Sequence, residues 1–255
     1  MRLFSFEPAG LKGRFALLSF TSIGMLVLSI AASAQTKRYA LDSPAGLRLH
    51  NVVAEPAVLQ GRKGLRITPS EEARRRLRSM TGDEQLRFPQ LASIDGLEFA
   101  NGVIEVEIAG APAPDAHEAA RGYVGIAFRL QNEVTYDAFY LRPTNGRADD
   151  QERRNHSVQY ISHPDWPFFR LRKEAPSKYE SYVDLMPGVW TKVKIEVRGE
   201  RARLYIHDQE QPTLIVNDLK TGAQGKGAVA LWSYHGTVAH FRNLRVETLS
   251  KDNSK

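Results

Sequence analysis

From Leu47 onward, apolar and polar residues alternate with period two, and this constrains the fold more than any other feature. In the run from Gly102 to Ala109, Ile104, Val106 and Ile108 share one side, and Glu105 and Glu107 the other. Val193, Ile195 and Val197 alternate with Lys194 and Glu196, and Ala202, Leu204 and Ile206 with Arg203 and Tyr205. Antiparallel strands with one buried face have this pattern. Gly199-Glu200 between the last two runs predicts a two-residue hairpin. Further strands are expected near 47–53, 57–60, 64–68, 122–131, 134–142, 156–161, 213–218, 227–234 and 237–247. Only 70–80 reads as helix, with Ser70 as cap, Glu71 and Glu72 in the first turn, and Ala73, Leu77 and Met80 as an apolar stripe. Its arginines, Arg74, Arg75, Arg76 and Arg78, are expected to form a solvated face. Many short strands with one helix imply an all-β, two-sheet sandwich or a barrel, and no fixed repeat suggests a propeller.

The 255 residues contain no cysteine, which excludes a disulfide scaffold, a thiol nucleophile and thiolate zinc sites. A formal charge of +6 is a mild excess and gives no support to a dedicated nucleic-acid partner. Arg2, Lys12 and Arg14 precede an apolar run from Phe15 to Ala31, and Ala32-Ser33-Ala34 follows it. This is the pattern of a cleavable secretory signal. The expected organisation is a signal segment at 1–34 and a single domain at 35–255, with its core at about 47–248, exported to a periplasm or the medium. Retention of 15–31 as a membrane anchor is the alternative. Ser19, Thr21, Ser22, Gly24 and Ser29 dilute that run, and no second apolar stretch approaches spanning length.

Three strands put unusual residues on the face away from the expected core. Tyr123, Gly125, Ala127 and Arg129 oppose Val124, Ile126, Phe128 and Leu130. Tyr136, Ala138, Tyr140 and Arg142 oppose Phe139 and Leu141, and Ala230, Trp232 and Tyr234 oppose Val229 and Leu231. Small residues leave room above the sheet, while aromatic rings and guanidinium groups suit the apolar faces and hydroxyl rim of a sugar. Packing beneath long loops is the alternative. A polar loop follows at 143–155, with an expected turn at Asn145-Gly146, and then an aromatic, proline-broken loop from His163 to Arg172.

The ionisable residues are less informative. Glycoside hydrolysis needs two carboxyls at about 5–5.5 Å or 6.5–9.5 Å. Glu180 and Asp184 would lie about 13 Å apart on one strand. Glu105 and Glu107 fit the spacing, but a solvated strand face looks the same. His163 and Asp165 flank Pro164 and are candidates for acid, base or metal-ligand roles, with a structural hydrogen bond preferred for the histidine. Asp149, Asp150 and Glu152 are oxygen ligands of the type calcium takes, in a loop expected to be simply solvated. No HExxH, GxSxG, Walker or GxGxxG motif occurs, and no cofactor is expected.

The segments Gly102–Glu107, Arg121–Arg129, Tyr136–Pro143 and Gly188–Ile195, with the endings Gly227–Ser233 and His240–Val246, resemble the concanavalin A-like lectin/glucanase superfamily. The resemblance is greatest to laminin-G-like and 3-keto-disaccharide hydrolase-like bacterial domains. It covers about residues 47–248 and implies a jelly roll of two antiparallel sheets whose concave face commonly binds carbohydrate. The E-x-D-x-x-E motif of family-16-like glucanases is absent, so their chemistry does not carry over. The leading expectation is an exported lectin-like domain that contacts a glycan or glycan-derived molecule through Arg129, Tyr140, Arg142, Gln159, Tyr160, Trp166 and Trp232. The alternatives are a glycoside or keto-sugar hydrolase or lyase using His163, Asp165 and Glu180, and a structural or adhesive envelope protein.

Overall fold

The alternating runs pair into two antiparallel sheets, in a computed structural model that describes residues 34–249 with the exception of His235. The expected signal segment therefore lies outside the described residues, apart from Ala34. The N-terminal third contributes β1 (Ala34–Tyr39), β2 (Leu47–His50), β3 (Val52–Leu59) and β4 (Arg62–Pro69), then helices α1 (Glu71–Ser79) and α2 (Asp83–Arg87), and β5 (Leu91–Ile94). The middle third holds β6 (Gly102–Pro112), β7 (Val124–Asn132), β8 (Thr135–Leu141), α3 (Gln151–Asn155), β9 (Val158–His163), α4 (Phe168–Glu174) and β10 (Glu180–Ser181). The last third holds β11 (Thr191–Arg198), β12 (Arg201–Ile206), β13 (Leu214–Val216), β14 (Ala228–Ser233) and β15 (Thr237–Leu249).

One sheet runs β13-β12-β11-β6-β15-β4-β3, with β1 also paired to β15. The other runs β10-β9-β8-β7-β14-β5-β2. Strands adjacent in a sheet are often distant in sequence, as expected of a jelly roll with long crossovers. The inner rows interdigitate between the sheets: Ile104, Ile195, Leu204, Val246 and Phe241 from the first, and Ile126, Phe128, Phe139, Tyr160 and Leu231 from the second, are all essentially solvent-free. Burying one such side chain contributes roughly 1.5–3 kcal/mol, so this interface dominates stability. Glu105 and Glu107 face outward from the first sheet, paired with Arg245 and Arg62, as a solvated face would be.

The hairpin at Gly199-Glu200 forms, with Arg198 opposite Arg201 and Gly199 at φ 57°. The helix at 71–79 is capped by the Ser70 hydroxyl, which accepts from the Ala73 N–H at 3.1 Å. Its stripe packs with Phe88 and Met80, a small cluster separate from the main core. The expected turn at Asn145-Gly146 forms: residues Pro143–Asn145 make a 3-10 turn that Gly146 closes, and the buried Asn145 amide donates to the His156 carbonyl. One expectation needs correction: strand structure begins before Leu47, because β1 lies along the C-terminal half of β15.

Candidate functional site

The outer face of the second sheet is where the sequence places its aromatic row. Register confirms the geometry: Gly125 of β7 lies between Tyr140 of β8 and Trp232 of β14. With no side chain between them, the two rings meet at 4.8 Å between centroids. Trp232 also stacks on Tyr234 at 6.2 Å and 8°, while Tyr123 sets its ring edge against Tyr140 and Tyr234. Beside them, Ala127 lies between Ala138 and Ala230, so the floor is lower there.

A cavity of about 540 Å³ opens above these rings. Tyr123, Tyr140, Trp232, Tyr234 and Ile161 come from the sheet. Pro167 and Phe168, at the start of α4, form one wall, and Gln85 of α2 another. His117, Ala119 and Ala120 from the β6–β7 loop, and Gly236, close the rim, with His163 at the end of β9. The volume is typical of small-molecule sites, as is the mix of apolar surface and few polar groups. The Trp232 Nε1–H donates to the Tyr136 hydroxyl at 3.2 Å, which fixes the indole. Burial pushes Tyr140 up to about 12, against the pull of Arg142, and raises Tyr136 and Tyr234 as well. The floor is therefore uncharged at neutral pH.

Of the residues expected to contact a ligand, Tyr140 and Trp232 line this cavity. Arg142 lies behind it: its guanidinium donates to the Tyr140 hydroxyl at 2.7 Å and to the His156 carbonyl at 3.0 Å, and packs against the Phe168 ring. Gln159 anchors Arg142 from below, and its own amide donates to the carbonyls of Tyr160 and Tyr179. Arg129, Tyr160 and Trp166 are corrections. A bulge in β7 gives Arg129 a left-handed backbone (φ 53°) and turns its side chain away from the outer face. Fully buried, it donates to the carbonyls of Ala100, Gly199 and Gly222 and to the Thr221 hydroxyl. Tyr160 points into the core because β9 alternates, and its hydroxyl donates to Asp137 at 2.7 Å and accepts from the Lys220 N–H. Trp166 lies outside the cavity lining, beneath Arg170 and Lys220.

The three catalytic candidates are dispersed. Glu180 is held by Arg172 at 2.8 Å and lies 2.7 Å from His156 Nδ1. It pairs with Gln159, four residues along β9 from His163, which is about 13 Å by strand rise. Asp165 is exposed and does not line the cavity. His163 alone reaches the site. Its ring rests on Tyr136 at 5.1 Å between centroids, and its nitrogens make no hydrogen bond with any described residue, contrary to the structural role preferred from sequence. Burial, and secondarily Arg87, depress it to about 4, so at neutral pH it is a neutral imidazole. Among the described residues no group of three or more His, Asp or Glu side chains converges to hold a metal ion.

This depression has a measurable consequence. The unfolded chain takes up a proton on this histidine near pH 6.5, whereas the folded chain excludes it until about pH 4. Stability therefore falls as pH drops through that window, since the unfolded state binds more protons. Between pH 7 and pH 5 the wild type should lose about 2 kcal/mol more than His163→Gln, measured from urea midpoints.

Residues 94–247 match the family model described as the 3-keto-alpha-glucoside-1,2-lyase-like domain. The chain belongs to that family. No curated protein matches it. Among solved structures, the family fold seen here is similar to the carbohydrate-binding module CBM66 from Bacillus subtilis. That match has 12% identity, covers 79% of this chain and 95% of that one, and has a TM-score of 0.51. A Bacillus subtilis protein with a galectin-like fold matches at 11% identity, covering 84% and 96% of the two chains with a TM-score of 0.46. The galectin LEC-6 of Caenorhabditis elegans matches at 12% identity, covering 61% and 89% with a TM-score of 0.38. At 12% identity the likeness to the carbohydrate-binding module is one of fold, a two-sheet antiparallel sandwich.

Tyr123 and Tyr234, read as outward-facing but not among the expected contacts, line the cavity, together with Phe168, His117 and Gln85. The two tyrosines and Phe168 lie in the aromatic stretches that prompted the ligand reading. His117 and Gln85 carry no local signal, because a loop and a short helix bring them there from outside the sheet.

Proposed function

We propose that this protein binds a saccharide or saccharide-derived small molecule in the aromatic cavity on the outer face of the second sheet. The observation that carries the reading is the floor of Trp232, Tyr140, Tyr234 and Tyr123 beneath an open cavity of about 540 Å³. Rings of this kind stack on sugar C–H faces, and phenols and imidazoles at their edges serve the hydroxyls. Family membership and the fold shared with a carbohydrate-binding module support it. Calorimetric titration with a panel of oligosaccharides should show saturable binding, and Trp232→Ala should weaken it by about tenfold to a hundredfold. Absence of binding across the panel, or a Trp232→Ala variant with unchanged affinity, would overturn it.

A catalytic reading is favoured by a separate observation: the neutral, hydrogen-bond-free His163 in the cavity of a lyase-like family. Among the described residues no carboxylate lines the cavity, so none of them supplies the pair that a two-carboxyl hydrolysis uses. A neutral imidazole can instead accept a proton from carbon beside a sugar ketone. Incubation with 3-keto-glycosides separates catalysis from binding: turnover abolished in His163→Gln assigns the base, and turnover that persists removes it.

Export belongs to the same proposal and rests on the signal pattern ending at Ala34. Cleavage there would start the chain at Gln35, within β1, and leave the β1–β15 pairing in place from Gln35 opposite Thr248. N-terminal sequencing of the secreted or periplasmic product should begin at Gln35. An intact Met1 in the membrane fraction would indicate a retained anchor.

A further inference from the structure

We infer that the cavity selects ligands carrying a carboxylate, an acidic saccharide over its neutral counterpart, and that the Tyr140 hydroxyl, polarised by Arg142, is the selecting group. The inference rests on the saccharide reading above.

Arg142 is 5% exposed, and among the described residues it has no ion-pair partner. Its donors go to neutral acceptors: the His156 carbonyl, the Gln159 side-chain oxygen and the Tyr140 hydroxyl. Neighbouring Glu180 does not neutralise it, because Arg172 already takes that carboxylate through two hydrogen bonds. His156 beside them is depressed, chiefly by burial, and adds no positive charge of its own at neutral pH. Arg142, Arg172 and Glu180 together leave a net positive charge at the Phe168 wall. A buried charge without a counter-charge is costly, and a native protein keeps one where something compensates it.

The route to the ligand is Tyr140. Its oxygen accepts from Arg142 at 2.7 Å, and no described residue accepts its proton. The side chain is 3% exposed and lines the cavity, so this is a buried O–H without an acceptor, polarised from behind by a guanidinium. A hydrogen bond to an anionic oxygen is about twice as strong as a neutral one, and stronger still away from water. Among the described residues none that lines the cavity is acidic. Arg142 is thus a positioning residue that acts through Tyr140.

The test uses matched oligosaccharides on the wild-type protein: uronic-acid trisaccharides, their methyl esters and the corresponding neutral trisaccharides, titrated by calorimetry. The acid should bind at least tenfold more tightly than its ester. Tyr140→Phe, which keeps the ring, should bring the ratio near one. Arg142→Met should do the same, and Arg142→Lys should restore part of the preference, which a merely structural arginine would not do. The wild-type acid–ester comparison decides the matter even where a variant fails to fold. Equal affinity for acid and ester overturns this inference and leaves the saccharide reading standing. Failure of every saccharide to bind overturns both.

Discussion

Replacing Arg129 by alanine should destabilise the protein by about 3–5 kcal/mol while leaving ligand affinity of the folded fraction unchanged. The side chain is fully buried and joins three separate segments. Nε and Nη2 both donate to the Ala100 carbonyl, at 2.9 and 2.8 Å, before β6. Nη2 also donates to the Gly199 carbonyl at 2.7 Å, in the β11–β12 hairpin, and Nη1 to Gly222 at 2.8 Å. Truncation leaves the half-buried Ala100 and Gly199 carbonyls without this donor, each at about 1–3 kcal/mol, together with a void, while the Gly222 carbonyl keeps the Gly225 N–H. Arg129→Lys should recover little, since one ammonium cannot span acceptors that a planar fork reaches together. Urea unfolding measures the first effect and calorimetry on the folded protein the second. A near-native midpoint would show that the carbonyls find water, and reduced affinity would return Arg129 to the site.

The misplacement of Arg129 in the sequence reading has a definite cause. Alternation locates a face only while the register is unbroken, and one left-handed residue sends the following side chains to the other face. β7 has such a residue at Arg129, and its pairings to both β8 and β14 shift there. The only trace in the sequence is opposite it, at Gly225 and Gly227, where a Cβ would lie 3.0 Å from Arg129 Cδ and 2.8 Å from its carbonyl carbon. Where register holds, face assignment succeeds: Tyr136, Ala138 and Tyr140 of β8 lie outward as their spacing requires, and so does Trp232 of β14.

Other gaps have different origins. Strand β1 (AQTKRY) is polar and largely exposed, so it has no apolar alternation to read, and only backbone pairing with β15 places it. Strand β5 (LASI) is buried at all four positions, and a segment this short and unalternating gives no period. Helix α4 follows Pro167 with no side-chain cap, so neither of the usual start signals beyond proline marks it. The cavity walls come from such segments. The floor of the site was therefore legible in the sequence, whereas its walls and the indirect role of Arg142 were not.

Gly125→Ala should have the second large effect, and it tests how the floor is built. The added Cβ would press on the Phe139 carbonyl and lie 2.6 and 2.7 Å from Tyr140 Cβ and Cα. These are backbone and near-backbone atoms of the adjacent strand, so no rotamer change relieves the contact, and β7 must move away from β8. The expected cost is about 2–4 kcal/mol. The methyl would also enter the space over which Tyr140 and Trp232 close to 4.8 Å, so saccharide affinity should drop by more than tenfold in the folded protein. Gly188→Ala is the control: its Cβ would meet open space, and only the φ of 71° opposes it. That costs roughly 1 kcal/mol and should leave affinity unchanged. If Gly125→Ala matched Gly188→Ala in both measurements, the two rings would not depend on the missing side chain beneath them, and the floor would have to be held by the indole bond to Tyr136 and the guanidinium behind Tyr140 instead.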